Sequence, residues 1–165
     1  PTALYNAILL RIRAEHEVNF YKAAAIKAYL LRNCLNKNYE EVLGVSLNET
    51  SKNKPYVLGR LFAVLEKAQL EAAGGSLNST IKDKYFTSAC TTPAVVFPGL
   101  LKIASHNTSK LDYGFVYEKK IGEIFELLNV DDNPYPKNLT YEEQGLFILG
   151  YYHQKNALYA KKEEK

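Results

Sequence analysis

The stretch Tyr56–Ala73, YVLGRLFAVLEKAQLEAA, decides the fold. Its apolar residues recur every three or four positions and form one continuous stripe on a helix: Leu58, Leu61, Phe62, Leu65 and Ala68. Arg60, Lys67 and Glu71 fall off this stripe, and we expect them to face water. The sequence therefore predicts an amphipathic helix whose apolar face the rest of the chain must cover.

Both ends of this helix carry residues that favour helix boundaries. Pro55 stands at the predicted first helical position, where the missing N–H group of proline costs nothing. Gly74 and Gly75 follow the last turn, and glycine readily adopts the left-handed conformation that ends a helix. The helix boundaries are thus predicted from local chemistry.

The other segments also show helical periodicity, and none shows the sustained apolar–polar alternation of a strand. We predict an all-α fold, a compact bundle of six or seven helices in a single helical domain spanning residues 1–165. Besides the helix over 56–73, the predicted helices cover residues 3–13, 20–34, 78–89, 92–106, 110–128 and 140–159, and residues 40–47 show a weaker helical pattern that Gly44 and Val45 interrupt.

Several details of these helices are predicted from single residues. Asn19 is a plausible N-cap, Thr92 a hydroxyl cap, and Thr140 with Glu143 a capping box. Pro98-Gly99 is expected to kink or divide its helix. The helix over 110–128 is expected to bury Val116, Ile121, Ile124, Phe125 and Leu128, and the nearly all-apolar last helix is expected to be central.

The composition is that of an ordinary globular chain, with 47% hydrophobic and 24% charged residues. No apolar run approaches the roughly 20 residues that a membrane span needs, and the first residues do not resemble a secretory signal. Cys34 and Cys90 are too few for a disulfide framework, which favours a reducing compartment. We expect a cytoplasmic chain with no membrane partner.

Residues that usually carry catalysis or hold metals are scattered along the chain. His16, His106 and His153 lie far apart, and neither cysteine belongs to a Cys-x-x-Cys motif. The paired carboxylates Asp131-Asp132 and Glu142-Glu143 stand in a proline-rich loop and in a first helical turn, where acidic residues favour the helix dipole. No phosphate-binding glycine loop or nucleophile motif is present. We predict no catalytic residue, no metal and no cofactor, so the chain is not expected to be an enzyme.

Basic residues are concentrated in the first two thirds of the chain. Residues 1–110 contain 14 Lys and Arg against 8 Asp and Glu, whereas residues 111–165 contain 7 against 10. Such a surface is compatible with a polyanion partner, although exposed Lys and Arg are ordinarily only solvated. A phosphate-contacting surface across the first two helices would use Arg11, Arg13, Lys22, Lys27 and Arg32.

A second basic segment, IKDKYF, carries Lys82 and Lys84 beside Tyr85 and Phe86. Cations next to aromatic rings fit contact with nucleic acid. Burial of both rings in the core is the expected outcome, because aromatic side chains dominate cores. The two lysines lie in a polar stretch and are expected to be exposed.

Three segments resemble a known family: YVLGRLFAVLEKAQLEAAG (56–74), LNSTIKDKYFTSACTTPAVVFPGLLKIASHNTSKL (77–111) and LTYEEQGLFILGYYHQKNALY (139–159). They are similar, in the same order, to the C-terminal helical region of the large subunit of Cascade, the type I-C CRISPR surveillance complex. The resemblance spans about residues 3–162. In this family the same region is also made as a separate small subunit from an internal translation start, and the chain resembles either product.

The resemblance implies a role inside an assembly. Cascade small subunits line the belly of the complex, contact its backbone and large subunits and a second copy of themselves, and help to hold target DNA. That DNA includes the displaced non-target strand and the crRNA–DNA heteroduplex region. Base pairing reads the sequence, while the protein supplies charge and shape without catalysis.

Carried over by position, the IKDKYF segment keeps the paired basic residues of the family as Lys82 and Lys84. Val95 and Gly99 stand where basic residues are expected, which leaves Lys102 as the main cation of that helix. The helix that carries Lys102 is therefore a weaker candidate for DNA contact than the IKDKYF segment.

Two other functions remain open from the sequence. The alternative is a purely structural subunit that contacts only protein. Its basic side chains should be scattered over the surface, whereas those of a subunit that holds DNA should converge. A stand-alone nuclease or toxin would need converging carboxylates or histidines.

Overall fold

The computed structural model describes residues 3–10, 18–33, 44, 46–75, 77–128 and 133–160. These residues form seven helices and no strand, which confirms the all-α prediction. The helices are α1 (Ala3–Leu10), α2 (Val18–Asn33), α3 (Lys54–Ala72), α4 (Ile81–Thr91), α5 (Pro93–Thr108), α6 (Gly114–Glu126) and α7 (Tyr141–Tyr159).

Helices α3 and α7 form the centre of the fold. Every residue from Pro55 to Glu66 on α3 and from Gln144 to Gln154 on α7 is buried. Helix α2 covers one side of α7 with Ala23, Ile26 and Leu30, while α5 and α6 cover α3. The predicted central position of the last helix is confirmed.

The backbones of α3 and α7 touch where the two helices cross. A Cβ atom at Gly59 would lie 1.9 Å from the carbonyl oxygen of Phe147, and one at Gly150 would lie 2.1 Å from that of Tyr56. Heavy atoms cannot approach so closely, so only glycine permits this crossing. Five rings pack edge to face around it, with neighbouring centroids 4.8 to 6.5 Å apart: Phe62, Phe86, Phe97, Phe147 and Tyr151.

The glycine stop predicted after α3 and the capping box predicted at the start of α7 are confirmed. Gly74 and Gly75 adopt φ angles of 69° and 86°, and the Gly75 N–H donates to the Leu70 carbonyl at 2.8 Å. Thr140 and Glu143 form the capping box at the start of α7. The predicted hydroxyl cap at Thr92 is wrong, because its Oγ1 donates to the Ser88 carbonyl at 3.1 Å and so satisfies the end of α4.

Arg60 is buried, with only 3% of its surface exposed, so the expectation that it faces water is wrong. Its Nη1 donates to the carbonyl oxygens of Asn48 at 3.1 Å and Glu49 at 2.9 Å, and its Nε donates to Gln154 Oε1 at 3.2 Å. The segment before α3 folds over this side of the helix and brings acceptors to the guanidinium group. Charge-assisted hydrogen bonds then offset the cost of burying it.

Three further expectations differ from the structure. Val116 is 50% exposed on α6, because α6 lies at the edge of the fold and buries only its inner side through residues such as Ile124. Helix α5 is not divided at Pro98, and because this proline is exposed, water can reach the carbonyl group that it leaves unpaired. Asn19 lies inside α2, which begins at Val18, and is not its N-cap.

Two predicted segments reach beyond the described residues. The first helix is helical through Leu10, and residues 11–13 lie outside the described part of the chain. The predicted helix over 40–47 also falls largely outside it, and Gly44, Ser46 and Leu47 are not helical. Among the helices that are described, none is long and apolar enough to span a bilayer.

The glycine crossing makes a prediction about stability. We expect Gly150→Ala to lower the free energy of unfolding by about 3 kcal/mol, because the added methyl group meets the backbone of Tyr56. Urea unfolding followed by circular dichroism measures this loss. Gly122→Ala on α6 is the matched control: its Cβ meets nothing within 4 Å, so it should leave stability unchanged or raise it by up to about 1 kcal/mol. Equal effects of the two substitutions would contradict the close crossing.

Candidate nucleic-acid interface

Three lysine side chains from three helices meet over the rings of Tyr151 and Tyr152 on α7. We name Lys22 (α2), Lys82 (α4) and Lys155 (α7) the amine cluster. The Lys82 Nζ lies 5.1 Å from the Tyr151 centroid and 5.4 Å from the Tyr152 centroid. The Lys22 Nζ lies 5.6 Å from the Tyr152 centroid, and the Lys155 Nζ lies 5.2 Å from that of Tyr151. Cations at these distances are attracted to the faces of the rings.

The start of α4 determines where Lys82 lies. Thr80 and Asp83 form a capping box, in which Asp83 Oδ2 accepts from the Thr80 N–H at 2.8 Å. The Ile81 N–H donates to Gln69 Oε1 on α3 at 2.8 Å. The first turn of α4 is therefore fastened both to itself and to the central helix, and Lys82 stands in that turn.

A buried carboxylate, Glu66 on α3, balances one of the three amines. The Lys155 Nζ donates to Glu66 Oε1 at 3.1 Å and Oε2 at 3.0 Å, and to the Tyr151 hydroxyl at 2.8 Å. The Tyr151 hydroxyl in turn donates to Glu66 Oε2 at 2.5 Å. All three N–H groups of Lys155 thus have acceptors inside the site, and Lys155 serves as a structural cation.

The remaining two amines carry charge that no described carboxylate balances by contact. Burial lowers the pKa of Lys82 to about 8, and repulsion from Lys155 and Lys22 adds to this effect although Glu66 and Asp83 oppose it. Burial and the charge of Lys155 also lower the pKa of Lys22. An anion brought to this position would favour the protonated form of both amines. The site is therefore suited to bind an anion.

The two tyrosines form a neutral floor for the cluster. Burial, together with the negative charge of Glu66, raises the pKa of both Tyr151 and Tyr152 well above the usual value for a phenol. Neither hydroxyl ionises near neutral pH, so the rings add no negative charge that would repel an anion.

Two of the predicted phosphate-contacting residues, Lys22 and Lys82, come together, and the others described do not join them. Lys82 is partly buried, so its expected full exposure is wrong. Lys27 faces another pocket, beside His153. The pKa of His153 is lowered to about 4, mainly by burial and also by the charge of Lys27. The remaining described candidates are exposed elsewhere on α2, α4 and α5: Arg32, Lys84 and Lys102. Arg11 and Arg13 lie outside the described residues.

Sequence reasoning missed Lys155 and Glu66. Lys155 follows Tyr151 by four residues and so shares its face of α7, which is a usable signal. Glu66 interrupts the apolar central helix, and a carboxylate buried there needs a cation. Spacing in the sequence does not show that the two meet, because they belong to different helices.

The neighbouring aromatic pair on α4 divides between core and surface. Phe86 is buried, as expected, but Tyr85 is 37% exposed, so the expectation of burial is wrong for this ring. Residues 85 and 86 are adjacent and point about 100° apart around the helix, and only Phe86 faces the central rings.

Groups that hold metals or react as nucleophiles do not converge in the described residues. No three His, Cys, Asp or Glu side chains there are placed to hold a metal ion. Cys90 is buried, and burial raises the pKa of its thiol to about 12, so that the thiolate form is scarce.

The crowding of amines makes a prediction about Lys82. We expect its pKa to lie near 8 and to rise in Lys22→Met, because the substitution removes a neighbouring positive charge. An NMR titration of the lysine side-chain resonances measures both values. Lys84→Met, which removes an exposed amine outside the cluster, should leave the pKa of Lys82 in place. A pKa near 10.5 in the unsubstituted chain would contradict the described burial.

Comparison with known proteins places the chain in a family. No curated protein sequence matches it significantly. The model of the family described as CRISPR-associated protein (Cas_Csd1) matches residues 1–159, which is nearly the whole chain. This match confirms the resemblance to a Cascade-related protein that the three sequence segments indicated. The chain belongs to the Cas_Csd1 family of CRISPR-associated proteins.

Proposed function

We propose that this chain is a non-catalytic subunit of a type I-C Cascade in the prokaryotic cytoplasm, and that it holds DNA by its backbone phosphates. Membership of a CRISPR-associated family supports the assembly. The amine cluster supports the contact with DNA, and it is the observation that carries the proposal. The DNA is the displaced strand or the guide-paired region of the R-loop.

The chemistry of the cluster matches a phosphate group. The amines of Lys22 and Lys82 lie 5.6 and 5.4 Å from the centroid of the same ring, that of Tyr152, and the charge of Lys22 contributes to lowering the pKa of Lys82. Neither forms a hydrogen bond or ion pair with another described residue, whereas phosphate oxygens are strong acceptors. Each amine that contacts a phosphate gains both an opposite charge and a strong hydrogen-bond acceptor.

Such contacts are independent of base sequence. Lysine–phosphate contacts position a nucleic-acid backbone and carry no sequence information. In Cascade, guide RNA pairs with the target strand, so a subunit that recognises only charge and shape is sufficient. The chain needs no catalytic group for this role. Its partners in the assembly would be the backbone and large subunits and a second copy of itself.

The alternative is a scaffold subunit that contacts only protein. Two adjacent apolar side chains on α6 favour a protein contact, since Phe115 is 69% exposed and Val116 follows it on the surface. A protein contact through α6 is compatible with DNA at the amine cluster, so the two functions are separated by measuring DNA binding.

We expect the double substitution Lys22→Gln and Lys82→Gln, placed in the assembled complex, to weaken retention of target DNA. The slope of log affinity against log salt concentration should become shallower by about 2, since two phosphate contacts are lost. Fluorescence anisotropy of labelled target DNA over a salt series measures affinity and slope together. Fold should be retained, because glutamine relieves the burial of a charge on Lys82.

The matched control is Lys52→Gln with Lys119→Gln, which removes two exposed lysines outside the cluster. This variant should change the affinity by less than twofold. If the cluster variant binds with unchanged affinity and slope while the complex assembles normally, the chain acts as a scaffold and the proposed phosphate contact is wrong.

A further inference from the structure

A groove between α4 and α5 has no role in the function proposed above. Its volume is about 380 Å³, within the range of pockets that bind small ligands. Tyr85 and Ser88 contribute one wall, and Val95 and Ile103 contribute the other. Val95 is 78% exposed, so this groove presents apolar surface to its surroundings.

Gly99 opens the α5 wall of the groove. A Cβ atom at this position would meet nothing within 4 Å, so packing inside the described chain does not require glycine here. Glycine in a helix interior also lowers helix stability relative to alanine. What glycine provides is bare backbone beside Val95 and Ile103, against which a flat group can lie closely.

No charged side chain lines the groove. The exposed charged residues of α4 and α5 are Lys84 and Lys102 with one acidic residue, Asp83. Lys84 precedes Tyr85 in the sequence and Lys102 precedes Ile103. The net charge of these two helices is therefore positive and attracts a polyanion, while the groove itself offers apolar and aromatic surface.

The groove also adjoins the amine cluster. Lys82 and Tyr85 are three residues apart on α4, and residues at this spacing are neighbours on a helix surface, with Cβ atoms about 5–6 Å apart. Lys82 faces α7, whereas Tyr85 lines the groove towards α5. One strand of nucleic acid can thus reach both sites.

We propose that this groove receives unpaired bases of single-stranded DNA, with the ring of Tyr85 stacked against one base. The phosphates of the same strand lie along Lys82, Lys84 and Lys102. The inference rests on the proposed function, because the strand is the one whose phosphate the amine cluster holds. Stacking on an aromatic ring is tolerant of sequence, since every base has a π-face. Duplex DNA keeps its bases stacked inside, so the groove selects a single strand.

The test compares two probes on the full chain at low salt: a labelled oligothymidylate and an abasic oligomer with the same number of phosphates. We expect the oligothymidylate to bind about tenfold more tightly, because only it supplies bases for stacking. Tyr85→Ala should bring the two affinities close together by weakening oligothymidylate binding alone. Phe115→Ala is the matched control, an exposed aromatic residue outside the groove, and should preserve the tenfold difference.

The outcomes separate this inference from the proposed function. Lys22→Gln with Lys82→Gln should weaken both probes equally, because it removes phosphate contacts. Equal affinity of the unsubstituted chain for both probes, or binding of neither, overturns the base groove, while the proposed function is judged separately by the salt series on the assembled complex. If Tyr85→Ala leaves the difference intact but lowers incorporation of the chain into the complex, the groove binds protein and the inference is wrong.

Discussion

The contact between the backbones of α3 and α7 is the constraint on which the rest of the structure depends. Gly59 and Gly150 let two helices that are buried on nearly all sides approach without intervening side chains. Interior packing at this density leaves no room for a methyl group at the crossing. The other described helices are arranged around this pair: α2 packs on α7, α5 and α6 pack on α3, α4 packs on α3, α5 and α7, and α1 packs on α2.

The same crossing builds the candidate site. It brings Glu66 of α3 under Lys155 and Tyr151 of α7, where three hydrogen bonds hold the lysine in place. A buried ion pair of this kind contributes little net stability, but removing one partner leaves a costly buried charge. It fixes the floor over which Lys22 and Lys82 meet. The arrangement of the surface amines is therefore a consequence of core packing and of the buried carboxylate of Glu66, which holds Lys155 in place.

Most of the fold was predictable, whereas most of the candidate site was not. Periodicity, Gly74-Gly75 and the Thr140–Glu143 capping box are local signals, and the helices that they predict are present. The predictions of which side chains are buried and which are exposed were wrong where packing against another segment determines the surroundings of a side chain. Arg60 is buried by the loop before α3, and Tyr85 stays exposed because α4 turns only Phe86 inwards. Lys155 was overlooked because its spacing from Tyr151 shows only that the two share a face of α7, and not that Glu66 of another helix meets them there.

By itself the sequence determined the helical class, the position of the main helices and the family, because capping, glycine stops and helical spacing act over a few residues. The family resemblance likewise resides in contiguous segments. Only the tertiary structure decided which charges meet. Lys22, Glu66, Lys82 and Lys155 come from four different helices, α2, α3, α4 and α7. Their convergence depends on how the helices cross, and that depends on long-range packing at Gly59 and Gly150, which no local pattern encodes.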